Sequence, residues 1–177
     1  MSGEKYWSAF VRDLSPYVPG EQPKLTNLVK LNTNENPYPP SPRVLEAVRA
    51  EVGESLRRYP DTTSAQLVNA AARFYGVPAE FVFAGNGSDE VLAHLFHAFF
   101  VRDGEVLFPD VSYSFYPVYA ALYRLPYRQI PVYEGLGIRL ADYPSENAGI
   151  IFPNPNAPTA RALPLRDIEA LLERNTE

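Results

Sequence analysis

From Phe81 onward, short runs rich in β-branched and aromatic residues alternate with helix-length segments, and this alternation restricts the fold more than any other feature of the 177-residue chain. Phe81–Ala84, Glu105–Phe108, Arg128–Val132 and Gly149–Phe152 read as strands. Between them Ser88–Val101 and Ser114–Tyr123 read as helices, and Pro164 opens a last helix, at the first position where its missing N–H is harmless. Strands that alternate with helices indicate an α/β domain: a mostly parallel sheet flanked by helices.

The N-terminal part has a different rhythm. Tyr6, Trp7, Phe10, Val11 and Leu14 form an apolar stripe that predicts a helix over 4–14. Residues 15–40 are punctuated by proline and are expected to be extended or looped. Val44, Leu45, Val48, Val52 and Leu56 recur at helical intervals, predicting a helix over 42–56. A second follows over 63–75, where Thr63 and Gln66 resemble a capping box and Gly76 gives the stop. Proline, 18 of 177 residues, is about twice its usual share. It lies mainly between periodic segments, as rigid turns and not as a disordered tract.

Composition removes several classes of function. A net charge of −5 provides no basic face for nucleic acid. With no cysteine, disulfides and thiolate metal sites are excluded. The first twenty residues carry charges throughout and lack the apolar core of a signal peptide. The most apolar stretch, 91–101, is too short to span a bilayer. A cytoplasmic protein without membrane association is the expectation.

The strongest local chemical signal is FVFAGNGSDE, residues 81–90. A strand runs into two glycines and then into a helix beginning at Ser88. Glycines let the backbone approach a ligand closely. The unpaired amides of the first helical turn, aided by the helix dipole, favour an anion such as phosphate. The run is not a nucleoside-triphosphate loop, and it lacks the third glycine of a dinucleotide fingerprint. A plain glycine turn capped by Ser88 or Asp89 fits the same spacing.

Five motifs in order carry a resemblance: LNTNENPYPPSP (31–42), RRYPD (57–61), GNGSDE (85–90), FPDVSYSFYPVY (108–119) and FPNPNAPT (152–159). Together the chain resembles the N-terminal half of the histidinol-phosphate aminotransferase family, of the fold type I, class I/II pyridoxal-phosphate aminotransferases. The resemblance implies a helix and arm over 1–30, near the small domain and dimer contact, and a partial cofactor-binding large domain over 31–177, truncated at its C-terminus. It implies pyridoxal 5′-phosphate as cofactor, an amino donor and a 2-oxo acid as substrates, and a homodimer. Gly87, Ser88 and Asp89 match the turn that holds the cofactor phosphate through backbone N–H groups. Tyr113 matches the aromatic residue stacked on the cofactor ring, although packing is the ordinary use of a tyrosine. Tyr59 matches a tyrosine that reaches the partner subunit's cofactor phosphate. Tyr17, Asn32, Asn34 and Glu35 match parts of the substrate pocket.

The match departs at residues 154–160. The family usually has adjacent asparagines before Pro-Thr-Gly, the second bonding the cofactor's 3-oxygen; here Ala157 stands at that position and Ala160 replaces the glycine. Asn156 is the nearest candidate for that contact. His94 and His97, at i and i+3, suggest a metal pair without a third ligand, so no metal is expected. Arg57 and Arg58 match either a phosphate clamp or two solvated charges.

Amino transfer on pyridoxal phosphate needs a lysine that holds the cofactor as a Schiff base and moves protons. The chain's lysines are Lys5, Lys24 and Lys30, all ahead of the glycine turn. In the family the anchoring lysine, and the aspartate that protonates the ring nitrogen, come later. The chain is therefore expected to carry no catalytic lysine, to hold the cofactor weakly, and to be inactive alone. Two other enzyme readings keep the fold, a phosphothreonine-type decarboxylase and an aromatic amino-acid aminotransferase. A non-catalytic phosphate-binding or dimerisation module is the reading from another class.

Overall fold

The structure is a computed structural model that describes residues 3–14, 21, 23–24 and 27–176. The chain divides into two compact units: Val18–Gly85, and Met1–Tyr17 together with Asn86–Glu177. No helix among the described residues is long and apolar enough to cross a membrane.

The second of these units contains the sheet. Strands β1 (Val106–Pro109), β2 (Tyr127–Ile130) and β3 (Gly149–Ile150) are parallel, in the order β2-β1-β3. All four residues of the central strand are buried. Their alternation sends them to two different cores, as the two-residue period of a strand requires. Val106 and Phe108 join Phe96, Phe100, Tyr116, Tyr119, Ala120 and Leu125 on one side. Leu107 joins Ile130, Ile138, Tyr143 and Leu171 on the other.

Helices α4 (Ser88–Phe99) and α5 (Tyr116–Leu122) cover the first face, and α6 (Leu165–Glu173) covers the second through Leu171. Each presents its apolar residues at helical spacing; α5 buries Tyr116, Tyr119 and Ala120, at i, i+3 and i+4. A parallel sheet with both faces covered is the α/β arrangement expected from the sequence.

Several boundaries differ from expectation. Phe81–Ala84 does not become a strand: a 3-10 turn occupies Ala79–Phe81 and the following residues stay outside the sheet. A β-rich run becomes a strand only where a neighbouring strand supplies its ladder. The strand expected over 149–152 is shorter: Gly149 and Ile150 pair with β1, and Ile151 N makes the last bond to it, to Leu107 O at 3.0 Å. The expected N-terminal helix is reduced to a 3-10 turn, Gly3–Tyr6, and a single α-helical turn α1 (Ala9–Arg12), capped by Ser8.

In the Val18–Gly85 unit, α2 (Pro42–Glu51) is capped by the Ser41 hydroxyl, and Val52 leaves helical geometry, with a 3-10 turn over Glu54–Arg57 in place of the expected continuation. Helix α3 (Ala65–Tyr75) ends at Gly76 as expected, in the left-handed conformation. Its start is not the capping box at Thr63. The Asp61 carboxylate accepts from Thr63 N, Thr63 Oγ1 and, at 2.7 Å, Ala65 N. These hydrogen bonds, led by that from Thr63 N, hold its carboxyl below the usual range.

Candidate functional site

Gly87 precedes α4 with φ +86°, a conformation that side-chain-bearing residues rarely adopt. A Cβ there would meet nothing within 4 Å, so the glycine is required by its backbone angle and the space above it is open. No side chain among the described residues caps the helix, and Gly87, Ser88, Asp89 and Glu90 are all exposed. The first-turn amides of a twelve-residue helix therefore face solvent with the positive end of the helix dipole behind them.

Two carboxylates in this turn oppose an anion, and both are engaged. Glu90 accepts from Asn86 N at 3.3 Å and lies 3.8 Å from His94. Asp89 Oδ1 accepts from the Tyr113 hydroxyl at 2.6 Å. The Tyr119 hydroxyl donates to the Asp89 carbonyl oxygen at 2.9 Å, with Oδ1 at 3.4 Å. Tyr119 is buried, and burial, reinforced by the Asp89 charge, raises its hydroxyl well above the ordinary range. It remains a neutral donor.

These bonds place the start of α4 beside the segment that leaves the carboxyl end of β1. That segment borders a cavity of about 330 Å³ lined by Pro109, Ser112, Tyr113, Pro117, Gln129 and Pro158. Crevices outside the carboxyl ends of parallel strands are where α/β folds bind ligands. Tyr113 is half-buried there, its ring parallel to Phe115 at 6.1 Å and edge-on to Tyr116 at 5.6 Å. A larger hollow, about 1080 Å³, opens at the opposite edge beside Gly104, Asn147 and Arg174, away from every residue singled out in the sequence.

Asn156, expected at the cofactor's 3-oxygen, is engaged within the protein. It is 1% exposed, and its amide nitrogen donates to Val111 O at 2.9 Å and Thr159 Oγ1 at 3.2 Å. Its Oδ1 accepts from the Ser112 hydroxyl at 2.8 Å. Both amide hydrogens are paired within the protein, so Asn156 braces the loop that carries Tyr113. Ala160, at the family's glycine position, has φ +56°.

Of the remaining residues expected at the site, Tyr17 lies outside the described residues. Asn32, Asn34, Glu35 and Tyr59 belong to the Val18–Gly85 unit. Asn32 donates to the Glu21 carbonyl at 2.9 Å, and Asn34 has φ +53°. Glu35 is paired with Lys30, whose hydrogen bond lowers its carboxyl from the ordinary value. Tyr59 is 98% exposed. His94 pairs with Glu90, and the His97 ring lies 5.1 Å from that of Tyr123; among the described residues no group of three potential ligands could hold a metal ion. The residue that sequence reasoning missed is Tyr119. Its place on the apolar face of α5 is legible as periodicity, but the target of its hydroxyl is not.

An open amide turn at the start of α4 and an aromatic ring at the carboxyl edge of β1 are tied together through Asp89 on an α/β fold. The family model for aminotransferase class I and II matches residues 26–177, and the chain belongs to that family. Among its relatives are histidinol-phosphate aminotransferase 1 of Methylococcus capsulatus, 62% identical over 97% of this chain and 48% of that protein, and the histidinol-phosphate aminotransferase of Pseudomonas putida strain W619, 60% identical over 98% and 50%. The chain thus spans about half the length of the curated relatives it matches. A solved candidate histidinol-phosphate aminotransferase from Erwinia carotovora superimposes with a TM-score of 0.71 at 22% identity, covering 80% of this chain and 42% of that one, which supports the fold.

Aminotransferases of this class use pyridoxal phosphate. The described residues fit the phosphate end and one ring face of that cofactor: the uncapped turn after Gly87 is open, and Tyr113 borders the cavity. Asn156, the candidate for the 3-oxygen, has both amide hydrogens paired within the protein.

Proposed function

We propose that this chain provides the cofactor-phosphate and ring-stacking part of a histidinol-phosphate aminotransferase, which exchanges an amino group between L-histidinol phosphate and 2-oxoglutarate in histidine biosynthesis. The observation that carries the reading is the open, uncapped turn at Gly87, tied through Asp89 to Tyr113 at the carboxyl edge of the sheet. Identities near 60% to proteins of that name support the substrate.

In this reading the amides of Ser88 and Asp89 bind the phosphate, and Tyr113 limits the tilt of the ring and shields it from water. Asn156 keeps the Tyr113 loop in place. Tyr59 reaches the cofactor phosphate of a partner subunit in a homodimer, and Tyr17, Asn32, Asn34 and Glu35 line the substrate pocket. Pyridoxal phosphate supplies the electron sink for the amino transfer. The division into an arm over 1–30 and part of a large domain over 31–177 belongs to the same reading, as does a cytoplasmic location.

The reaction is tested on the whole protein, by following 2-oxoglutarate-dependent loss of the amine from histidinol phosphate. Release of carbon dioxide from a phosphorylated amino acid would replace the reading with a decarboxylase, and a preference for aromatic amino acids would replace the substrate. The 177-residue chain alone, mixed with pyridoxal phosphate, is expected to give no amino transfer and no lysine-dependent absorbance. A specific band fixed by borohydride at one lysine would overturn that expectation.

A further inference from the structure

We infer that Tyr119 is a positioning residue that keys the ring platform, Tyr113, to the phosphate-binding turn through Asp89; the inference rests on the cofactor-site reading above. Tyr119 touches neither ring nor phosphate in this reading. It acts on the residue that joins them.

Three observations carry the inference. Tyr119 is 3% exposed, and its ring is wedged 5.2 Å from Phe96 and 4.8 Å from Phe115, so its hydroxyl has a fixed position. That hydroxyl donates to the carbonyl oxygen of Asp89, inside the first turn of α4, and approaches the same residue's carboxylate. The same carboxylate oxygen, Oδ1, accepts from the Tyr113 hydroxyl at 2.6 Å. One residue therefore connects a buried phenol, a half-buried phenol and the amides of the turn.

A carbonyl oxygen has two lone pairs, so the Asp89 carbonyl can accept from Tyr119 while keeping its place in the helix. The bond fixes the peptide unit that follows the Asp89 amide. Asp89 Oδ1 in turn fixes the direction of the Tyr113 ring, which has only two side-chain torsions to restrain. Without the Tyr119 hydroxyl, Tyr113 still holds Asp89 Oδ1, but the residue that joins ring and turn loses its anchor to buried α5, and the two lose their fixed register. A ligand bearing both phosphate and ring then meets two half-sites out of register, while phosphate alone is little affected.

The test uses the full 177-residue chain, ¹⁵N-labelled, titrated with inorganic phosphate and with pyridoxine 5′-phosphate, which has ring and phosphate but no aldehyde to react with amines. Amide shifts of Ser88, Asp89 and Glu90 report both ligands. The ratio of the two dissociation constants isolates the ring contribution. Tyr119→Phe is expected to reduce that ratio about three- to tenfold, the size of one hydrogen bond's net effect, and to change phosphate binding less than about twofold. Asp89→Ala is expected to act in the same way, and Asp89→Asn, which keeps an acceptor oxygen, to restore the ratio. The charge lost in both Asp89 variants cancels in the ratio, because both ligands carry phosphate.

An unchanged ratio in Tyr119→Phe, with both ligands still bound, overturns the positioning role and leaves the site reading intact. Absence of any shift at residues 88–90 in the unsubstituted chain overturns the site reading and this inference with it. If Tyr119→Phe does not fold, 3-fluorotyrosine at position 119 decides: it keeps the hydroxyl and makes it a stronger donor, so the ring contribution is expected to rise, and an unchanged ratio sinks the proposal.

Discussion

The two compact units treat their apolar side chains in opposite ways. The sheet-bearing unit gathers them into two cores on either side of β1, with Phe96, Val106 and Leu107 at 0% exposure. In the Val18–Gly85 unit Ala72 is the one buried residue among those described, while Val44, Val48 and Phe74 remain exposed. Both units have amphipathic helices. What differs is the presence of a sheet: a parallel strand buried between two helical layers gives each helix a surface to cover, and helices without such a surface depend on local bonds at their ends.

This contrast is most directly broken by matched truncations. Phe96→Ala is expected to destabilise the chain by about 3–5 kcal/mol, the usual range for emptying a buried phenylalanine site. Phe74→Ala, at a ring 82% exposed, is expected to stay within about 0.5 kcal/mol. Denaturant midpoints measure both. Equal losses would show that the helical unit has a core of its own.

A second test asks whether the packed unit also depends on polar bracing. Asn156→Ala removes the partner of Val111 O and of the Ser112 hydroxyl, and should cost about 1–3 kcal/mol, the range for leaving buried polar groups unpaired. Near-ultraviolet circular dichroism should change as well, because the loop carries Tyr113. A neutral result would mean that the loop is held by packing alone.

Ala160→Gly should act in the opposite direction. A left-handed alanine is strained, and glycine removes the strain, so the expected gain is about 1 kcal/mol, seen as a higher melting temperature. The smallest effect belongs to the helical unit. The Asp61 carboxyl is held below its unfolded value by bonds that require its charge, so its contribution is present above the unfolded pKa and is lost as pH falls through the folded one. Amide exchange at Ala65 is expected to accelerate as pH is lowered below about 4, after correction for the intrinsic rate, and Asp61→Asn to remove that dependence.

The contrast also explains what could be read in the sequence. The parallel sheet, α4, the Gly76 stop and the open turn at Gly87 were legible because each follows from local pattern: alternation, helical spacing, or a glycine where the backbone turns left-handed. Phe81–Ala84 has the same β-rich composition as β1, but composition does not supply a ladder partner. Thr63 has capping-box spacing, yet Asp61 makes the bonds, since a carboxylate two residues earlier can reach three donors at once. For Asn156 the family motif suggested a ligand-facing amide. Its bonds in the structure reach Val111 and Ser112, more than forty positions away.

The amides that follow Gly87 stand exposed, and no side chain among the described residues caps them. In the proposed reading a doorway of this kind needs no rearrangement before an oxyanion enters, so capture is expected to be governed by encounter and electrostatic attraction. Differences in affinity between variants of this turn should then appear mainly in how quickly the occupant leaves.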